Sequence, residues 1–339
     1  MRRVSWLINR VRLMSVPEIS FRFRRVVMQQ WEQRRVAAGW KPRPEVPVTP
    51  KCSLFGNDAG LPGKWAEKFQ LDHPGLDEYL AGRINFFGHE RLDSGNPVVW
   101  NRDPVTGIEA PARYGKHLDY RDDKLVGNVK FTWELGRHQH LVPLAVAYVI
   151  SGDIRYRKAV VEQVDGWIEQ NPFGIGIHWC TSLEVALRLI SWSVVHSLFV
   201  LRDGESGLFA SIKNAERLGD SIYQQAYFVR HFLSRYSSAN NHLIGEMAGL
   251  YIAARTWPYW KASGGWADES HATLVCEVVK QTTADGVNRE QAVSYQQFVL
   301  DFLLLAGLTA RSADNDFPAG YWQIVESMLE FINAVMDAN

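Results

Sequence analysis

The sequence predicts an all-α fold of helical hairpins in two layers, and three observations carry that prediction. Beyond Lys130, apolar residues recur at helical spacing through segments of roughly 15 to 25 residues. Short turn-forming stretches separate these segments, and alternating strand-like runs are almost lacking. Several segments, LEVALRLISWSVVHSLFVL and FVLDFLLLAGLTA among them, are apolar nearly all round, so each must be covered on both sides. Inner helices ringed by outer ones meet that demand, and no fixed-period repeat points to a solenoid.

Residues 1–35 hold nine arginines against Glu18 and Glu32, which reads as a basic, partly amphipathic helix suited to peripheral contact with a membrane surface or an acidic polymer. The start, MRRVSWLINRVRLMSV, is basic like a leader peptide, but Arg10 and Arg12 interrupt the apolar run and no A-x-A site follows. The expectation is a chain without an export signal, cytoplasmic or associated with the inner membrane, and periplasmic only if this start is not the native one. KPRPEVPVTP is a proline-rich linker, and from about residue 36 to 130 turn formers and aromatics predict an irregular segment that wraps a surface. Residues 1–130 and 131–339 are thus read as a wrapping portion and a helical portion of one structural domain. The helical portion breaks at SGD (151–153), NPFGIGIHW (171–179), RDGESG (202–207), SRYSSAN (234–240), PYWKASGG (258–265), ADGVN (284–288) and SADNDFPAG (312–320), leaving some eight helices.

Composition narrows the function. With 46% hydrophobic and 22% charged residues in 339, the chain has an ordinary globular make-up, and no uninterrupted apolar run of membrane-spanning length is read. Lys+Arg and Asp+Glu are both 37, so overall charge makes no case for nucleic acid. Cys52, Cys180 and Cys276 are far apart and odd in number, which argues against a disulfide framework or a structural zinc site.

Four stretches bear chemistry. In SSANNHLIGEMAGL, Ser237 or Ser238 is a good N-cap, and Asn240, Asn241 and His242 fall in a first helical turn, where free N–H groups and the helix dipole favour an anion. Alternatively, an asparagine caps the helix and His242 is a bonded core histidine. In DGVNREQAVSYQQF, Asn288 and Gln291 fit a capping box, while Gln291 and Tyr295 share a helix face that could meet the same cavity. FTWELGRHQHL crowds Glu134, Arg137, His138 and His140 at a helix start; Glu134 and His138 are one turn apart, and the two histidines point to different sides, so no metal pair is read. Arg137 with a stacking tryptophan suits a sugar acid. In NPFGIGIHWCTSLEV, Trp179 could supply a sugar platform ahead of a Thr181/Ser182 cap, and no phosphate-binding glycine pattern accompanies it.

Taken in order and spacing, WELGRHQHL, AYVISGD, NPFGIGIHWCTSLEVALRLISW, SSANNHLIGEMAGL and GVNREQAVSYQQFVLDF resemble the heparinase II/III family of polysaccharide lyases, which also includes alginate lyases. The resemblance implies an α/α toroid of helical hairpins, here incomplete, followed in whole members by a C-terminal β-sandwich that is absent from this chain. It implies cleavage of a uronate-containing acidic polysaccharide by β-elimination. The carboxylate-neutralising role falls on Asn241, the assisting role on His242 and the acid/base role on Tyr295, which lies 54 residues beyond Asn241. Arg137, His138, Trp179, Glu246 and Gln291 are the expected substrate contacts. No cofactor is required of this chain; the catalytic or metal-binding histidine of the family belongs to the β-sandwich. Gly136 stands where many relatives carry a polar residue. Two rival expectations are a non-catalytic carbohydrate-binding module using the same cleft, and a glycoside hydrolase relying on Glu134 and Glu246.

Overall fold

The computed structural model describes residues 14–44, 54, 68–69, 74–204 and 206–336. They fall into two compact units, one ending at Lys41 and the other beginning at Pro42. The described part of the first is dominated by helix α1 (Val16–Ala37). Ser15 caps it, accepting from the Glu18 amide at 3.4 Å, and Glu18 in turn pairs with Arg22 at 2.8 Å one turn on. Glu18 and Glu32 are buried while Val16, Phe23 and Trp31 are exposed, so the apolar stripe of this helix faces outward.

The second unit opens with short elements: α2 (Pro74–Leu80), then strands β1 (Arg83–Phe86) and β2 (His89–Asp93) in an antiparallel hairpin. The irregular stretch that follows is organised by one buried carboxylate. Asp103 accepts from the Val105 and Asn128 amides, both at 2.9 Å, and from the Thr106 hydroxyl at 2.5 Å. Gly127 lies against it at φ 69°, where a Cβ would meet the Asp103 carboxylate at 2.6 Å. This loop leads into α3 (Asp123–Val126) and α4 (Val129–Gly136).

From there the described chain forms four helical hairpins: α5 (Leu141–Ser151) with α6 (Ile154–Gln170), α7 (Ser182–Asp203) with α8 (Ala215–His231), α9 (Asn241–Thr256) with α10 (Lys261–Gln281), and α11 (Val293–Ser312) with α12 (Ala319–Val335). Each first helix packs against the next first helix, α5 on α7, α7 on α9 and α9 on α11, with its own partner outside it. This is the expected incomplete α/α toroid, and the β1–β2 hairpin is the one sheet among the described residues. The small residues of α9 explain the close inner packing. A Cβ on Gly249 would stand 2.7 Å from the Ala186 carbonyl oxygen of α7, and one on Gly245 2.8 Å from the Phe302 ring of α11.

Several boundaries differ from the sequence reading. α7 and α11 are long and apolar enough to cross a membrane, although the apolar window of α7 is almost wholly buried, as a core helix requires. The expected break at 258–265 is shorter: α10 starts at Lys261 and runs through Gly264 and Gly265, where open space surrounds both. FTWELGRHQHL holds the end of one helix rather than the start, because His138 at φ 60° terminates α4 before α5 begins. Glu134 and His138 therefore do not share a helix face.

Candidate active site

The first turn of α9 provides the centre of the site. Its N-cap is Asn240, whose side-chain oxygen accepts from the His242 amide at 3.1 Å; Ser237 and Ser238, the expected caps, lie in or at the end of a preceding 3-10 turn. The Asn241 amide is left free by the helix geometry and donates to Glu290 Oε1 at 2.8 Å. The Asn241 side-chain amide, itself buried, donates to both Glu290 oxygens at 2.8 Å. A carboxylate is thus seated on a helix N-terminus by a main-chain and a side-chain donor, with the dipole favouring its charge.

Glu290 reaches that seat because Gln296 of α11 shapes the turn that carries it. Buried Gln296 accepts from the Asn288 amide at 2.6 Å and donates to the Gly286 carbonyl at 2.7 Å. The turn closes with the Gln291 amide on the Asn288 carbonyl at 3.0 Å. Gln291 is exposed at φ 56° and α11 begins at Val293, so the expected capping box is replaced by a turn in which Gln291 ends the reversal. Tyr295, 46% exposed in the first turn of α11, follows Glu290 by five residues, which keeps their backbones within about 17 Å.

Beside the Asn241 seat lies a charged fork. Arg137, just past the end of α4, donates from Nε and Nη2 to the two oxygens of Glu184 at 2.7 and 3.0 Å, and from Nη1 to Glu134 at 2.5 Å. Burial works against the Arg137 charge, but Glu184 and Glu134 more than offset it and its pKa rises. Burial lifts the Glu134 pKa, with Arg137 opposing and Glu184 adding to the rise. The half-buried His242 imidazole is pushed below its ordinary value first by burial and further by Arg137, while Glu184 and Glu290 pull it upward. His242 is therefore neutral at neutral pH, flanked by an arginine and two carboxylates.

Three expected substrate contacts belong to the interior instead. His138 is fully buried: its Nδ1 accepts from Trp192 Nε1 at 2.8 Å and its ring lies 4.6 Å from that of Trp100. Trp179 is 1% exposed, packed edge-on to Phe173 and Phe228, so its face is closed to a sugar. Glu246 is also 1% exposed and accepts from the Ser234 amide and hydroxyl at 2.6 and 2.8 Å, tying the loop before α9 to that helix. Arg137 remains in the site, with three of its N–H groups already on the chain's own carboxylates. Gly136 has a packing reason: the buried His178 ring fills the space a side chain would need.

Glu290 and Glu184 are the site residues that sequence reasoning passes over. Glu184 stands third after the Thr181 cap, where an acidic residue reads as helix-end chemistry. Glu290 sits between Asn288 and Gln291, whose cap-like spacing draws the eye, and only its partner across 49 residues reveals it. Among the described residues no group of three His, Cys, Asp or Glu is placed to hold a metal ion.

Known proteins share this arrangement of helices. The family described as Heparinase II/III N-terminus matches residues 78–338. A heparin-sulfate lyase of Pedobacter heparinus is 29% identical over 223 residues, covering 64% of this chain and 32% of that protein. One from Bacteroides stercoris is 24% identical over 253 residues, with 66% and 36% covered. Among solved structures, the heparan sulfate lyase of Pedobacter heparinus gives a TM-score of 0.56 at 24% identity over 79% of this chain and 40% of that one. Heparinase III gives 0.56 at 21% identity, over 86% and 41%. The chain spans about a third of the length of these curated relatives, and the structural likeness shows a common fold. With a match that runs from α2 to the end of α12 on that shared helical architecture, the chain belongs to the Heparinase II/III N-terminus family.

Proposed function

We propose that this chain is the helical part of a polysaccharide lyase that cleaves a uronate-containing acidic polymer by β-elimination. One observation carries the reading: the Asn241 amide and the start of α9 already hold a carboxylate, that of Glu290, at 2.8 Å from each donor. A uronate carboxylate entering the same seat displaces Glu290 and gains the same donors. Removing the C5 proton puts further negative charge on that carboxylate as an enolate, and donors fixed in advance stabilise it at the moment it forms. Tyr295, acting as acid/base with the neutral imidazole of His242 assisting, takes the C5 proton and gives a proton to the glycosidic oxygen as the C4–O bond breaks and the C4–C5 double bond forms. The relatives named heparin-sulfate lyase act in the same direction as this reading.

Heparan sulfate, alginate and a bacterial exopolysaccharide are the substrates to test, following the ultraviolet absorbance of the unsaturated uronate product. The expected result is signal from at least one, a fall of roughly 10²–10⁴ in kcat for Tyr295→Phe with binding retained, and a fall of roughly 10²–10³ for Asn241→Ala. Binding without absorbance at high protein concentration would make the chain a carbohydrate-binding module. New reducing ends without absorbance would make it a hydrolase, for which the burial of Glu246 leaves Glu134 needing another carboxylate.

A further inference from the structure

On the α10 side of the Asn241–Glu290 corner lies a cleft of about 580 Å³, within the size range of ligand-binding pockets. Its walls are the segment leading into α9, the C-terminal end of α10 and the turn at Asn288–Glu290. Asn240 and Glu290 line it and also belong to the carboxylate seat, so the cleft borders that seat.

Three observations point to a ligand here. Asn288 is 1% exposed and lines the cleft; its side-chain oxygen accepts from the Glu290 amide at 3.0 Å, but its Nδ2 has no hydrogen-bond partner among the described residues. A buried donor left unpaired is unfavourable unless something arriving in the cleft receives it. Tyr236 holds a left-handed backbone at φ 59°, rare for an aromatic residue, and is 44% exposed as a residue on the cleft wall. Arg289 is exposed at the rim, and its guanidinium makes no ion pair among the described residues, whereas Lys280 is committed to Glu277 and Arg235 to Glu269, each at 2.9 Å.

We infer that this cleft is a sugar subsite adjoining the uronate seat, taking the neighbouring residue of an acidic polysaccharide. Tyr236 supplies the apolar face against which a pyranose ring stacks, and Asn288 Nδ2 donates to a hydroxyl or ring oxygen of that sugar. Arg289 pairs with an acidic substituent, carboxylate or sulfate, on the same sugar. Glu277 and Gln281 offer acceptors for the remaining hydroxyls, a mixture of donors and acceptors that suits a sugar better than a densely charged anion. The inference rests on the acidic-polysaccharide reading of the Asn241 seat and adds to it which side of the uronate the chain extends toward.

The test uses the full chain carrying Tyr295→Phe, so that ligands are bound but not cleaved. Titration calorimetry measures glucuronate alone, an unsulfated glucuronate–N-acetylglucosamine tetrasaccharide, its sulfated counterpart and an alginate tetrasaccharide. Tyr236→Gly keeps the left-handed backbone while removing the ring. It is expected to weaken the preferred tetrasaccharide roughly tenfold and leave glucuronate unchanged. Arg289→Ala, on an exposed side chain, is expected to weaken the tetrasaccharide and flatten the salt dependence of its binding. A loss confined to the sulfated tetrasaccharide assigns Arg289 to a sulfate, and an equal loss with the unsulfated one assigns it to a carboxylate. If the Tyr295→Phe chain binds a tetrasaccharide and both variants bind it equally well, the subsite is overturned while the uronate seat stands. If it binds none of these saccharides, the acidic-polysaccharide reading falls and takes the subsite with it.

Discussion

At the scale of single residues, the question the site poses is what Glu290 would do to the acidic substrate proposed above. Its carboxylate occupies the very donors a uronate would use, and around Arg137 stand Glu134 and Glu184 as well, so the corner holds three carboxylates against the Arg137 guanidinium. Removing the Glu290 charge relieves both the competition and the repulsion. Glu290→Gln is therefore expected to lower KM for the acidic polysaccharide about three- to tenfold, up to roughly 1.4 kcal/mol, with a smaller change in kcat. Steady-state kinetics decides it, and a fall in kcat of tenfold or more without a lower KM would instead make Glu290 a residue that positions Asn241. The halves of this corner were not equally visible in the sequence. Asn240, Asn241 and His242 are contiguous, and a helix start with exposed N–H groups is a local property. Arg137 has a local partner in Glu134, but its second partner Glu184 and the Asn241 partner Glu290 are 47 and 49 residues away, so no local pattern pairs them. His138 and Trp179 mislead for the converse reason: their polar and aromatic character suggests a cleft, while Trp192, Trp100 and Phe228 bury them through contacts made by the fold.

At the scale of elements, periodicity located the inner and outer helices because burial on one or both sides is written directly into the apolar pattern. Boundaries depending on a single residue's backbone were harder to read: the left-handed His138 divides α4 from α5, and Gly264 and Gly265 sit inside α10 although glycine pairs usually mark turns. These glycines supply a paired prediction. Gly249→Val drives a Cβ against the Ala186 carbonyl oxygen of α7 at 2.7 Å, a backbone contact with no flexible end to give way. It is expected to lose about 1–3 kcal/mol or more of stability. Gly264→Ala meets open space on a helix and is expected to gain up to about 1 kcal/mol. Chemical denaturation midpoints measure both, and equal midpoints for the two variants would contradict the assignment of Gly249 to a tight inner interface and Gly264 to an uncrowded helix position.

At the scale of the whole molecule, a set of neutral buried histidines links the core to pH. Burial lowers His140 and His196 to about 4 and His178 to about 3, and holds His138 well below its ordinary value. Arg188 is fully buried and stacked 3.9 Å over Trp167; it disfavours protonation of both His138 and His178. In the unfolded chain the same imidazoles titrate near their ordinary value of about 6.5. Between that value and about 4 the unfolded state binds protons that the native state excludes, so the stability they confer is complete above that window and falls as pH drops through it. Glu134 works the other way, since its raised pKa favours the native state once it is protonated, and it softens the loss at the acid end. Unfolding near pH 5 is expected to take up close to about four protons from this set, each worth about 1.4 kcal/mol per pH unit. Calorimetric unfolding in buffers of differing ionisation enthalpy reads that uptake directly, and a stability unchanged between pH 7 and pH 5 would contradict it. His196→Gln retains an acceptor for the Leu208 amide, which the ring nitrogen now receives at 3.3 Å, and removes one titrating group. It is expected to reduce the uptake by about one proton while leaving that of the His138–His140–His178 cluster in place.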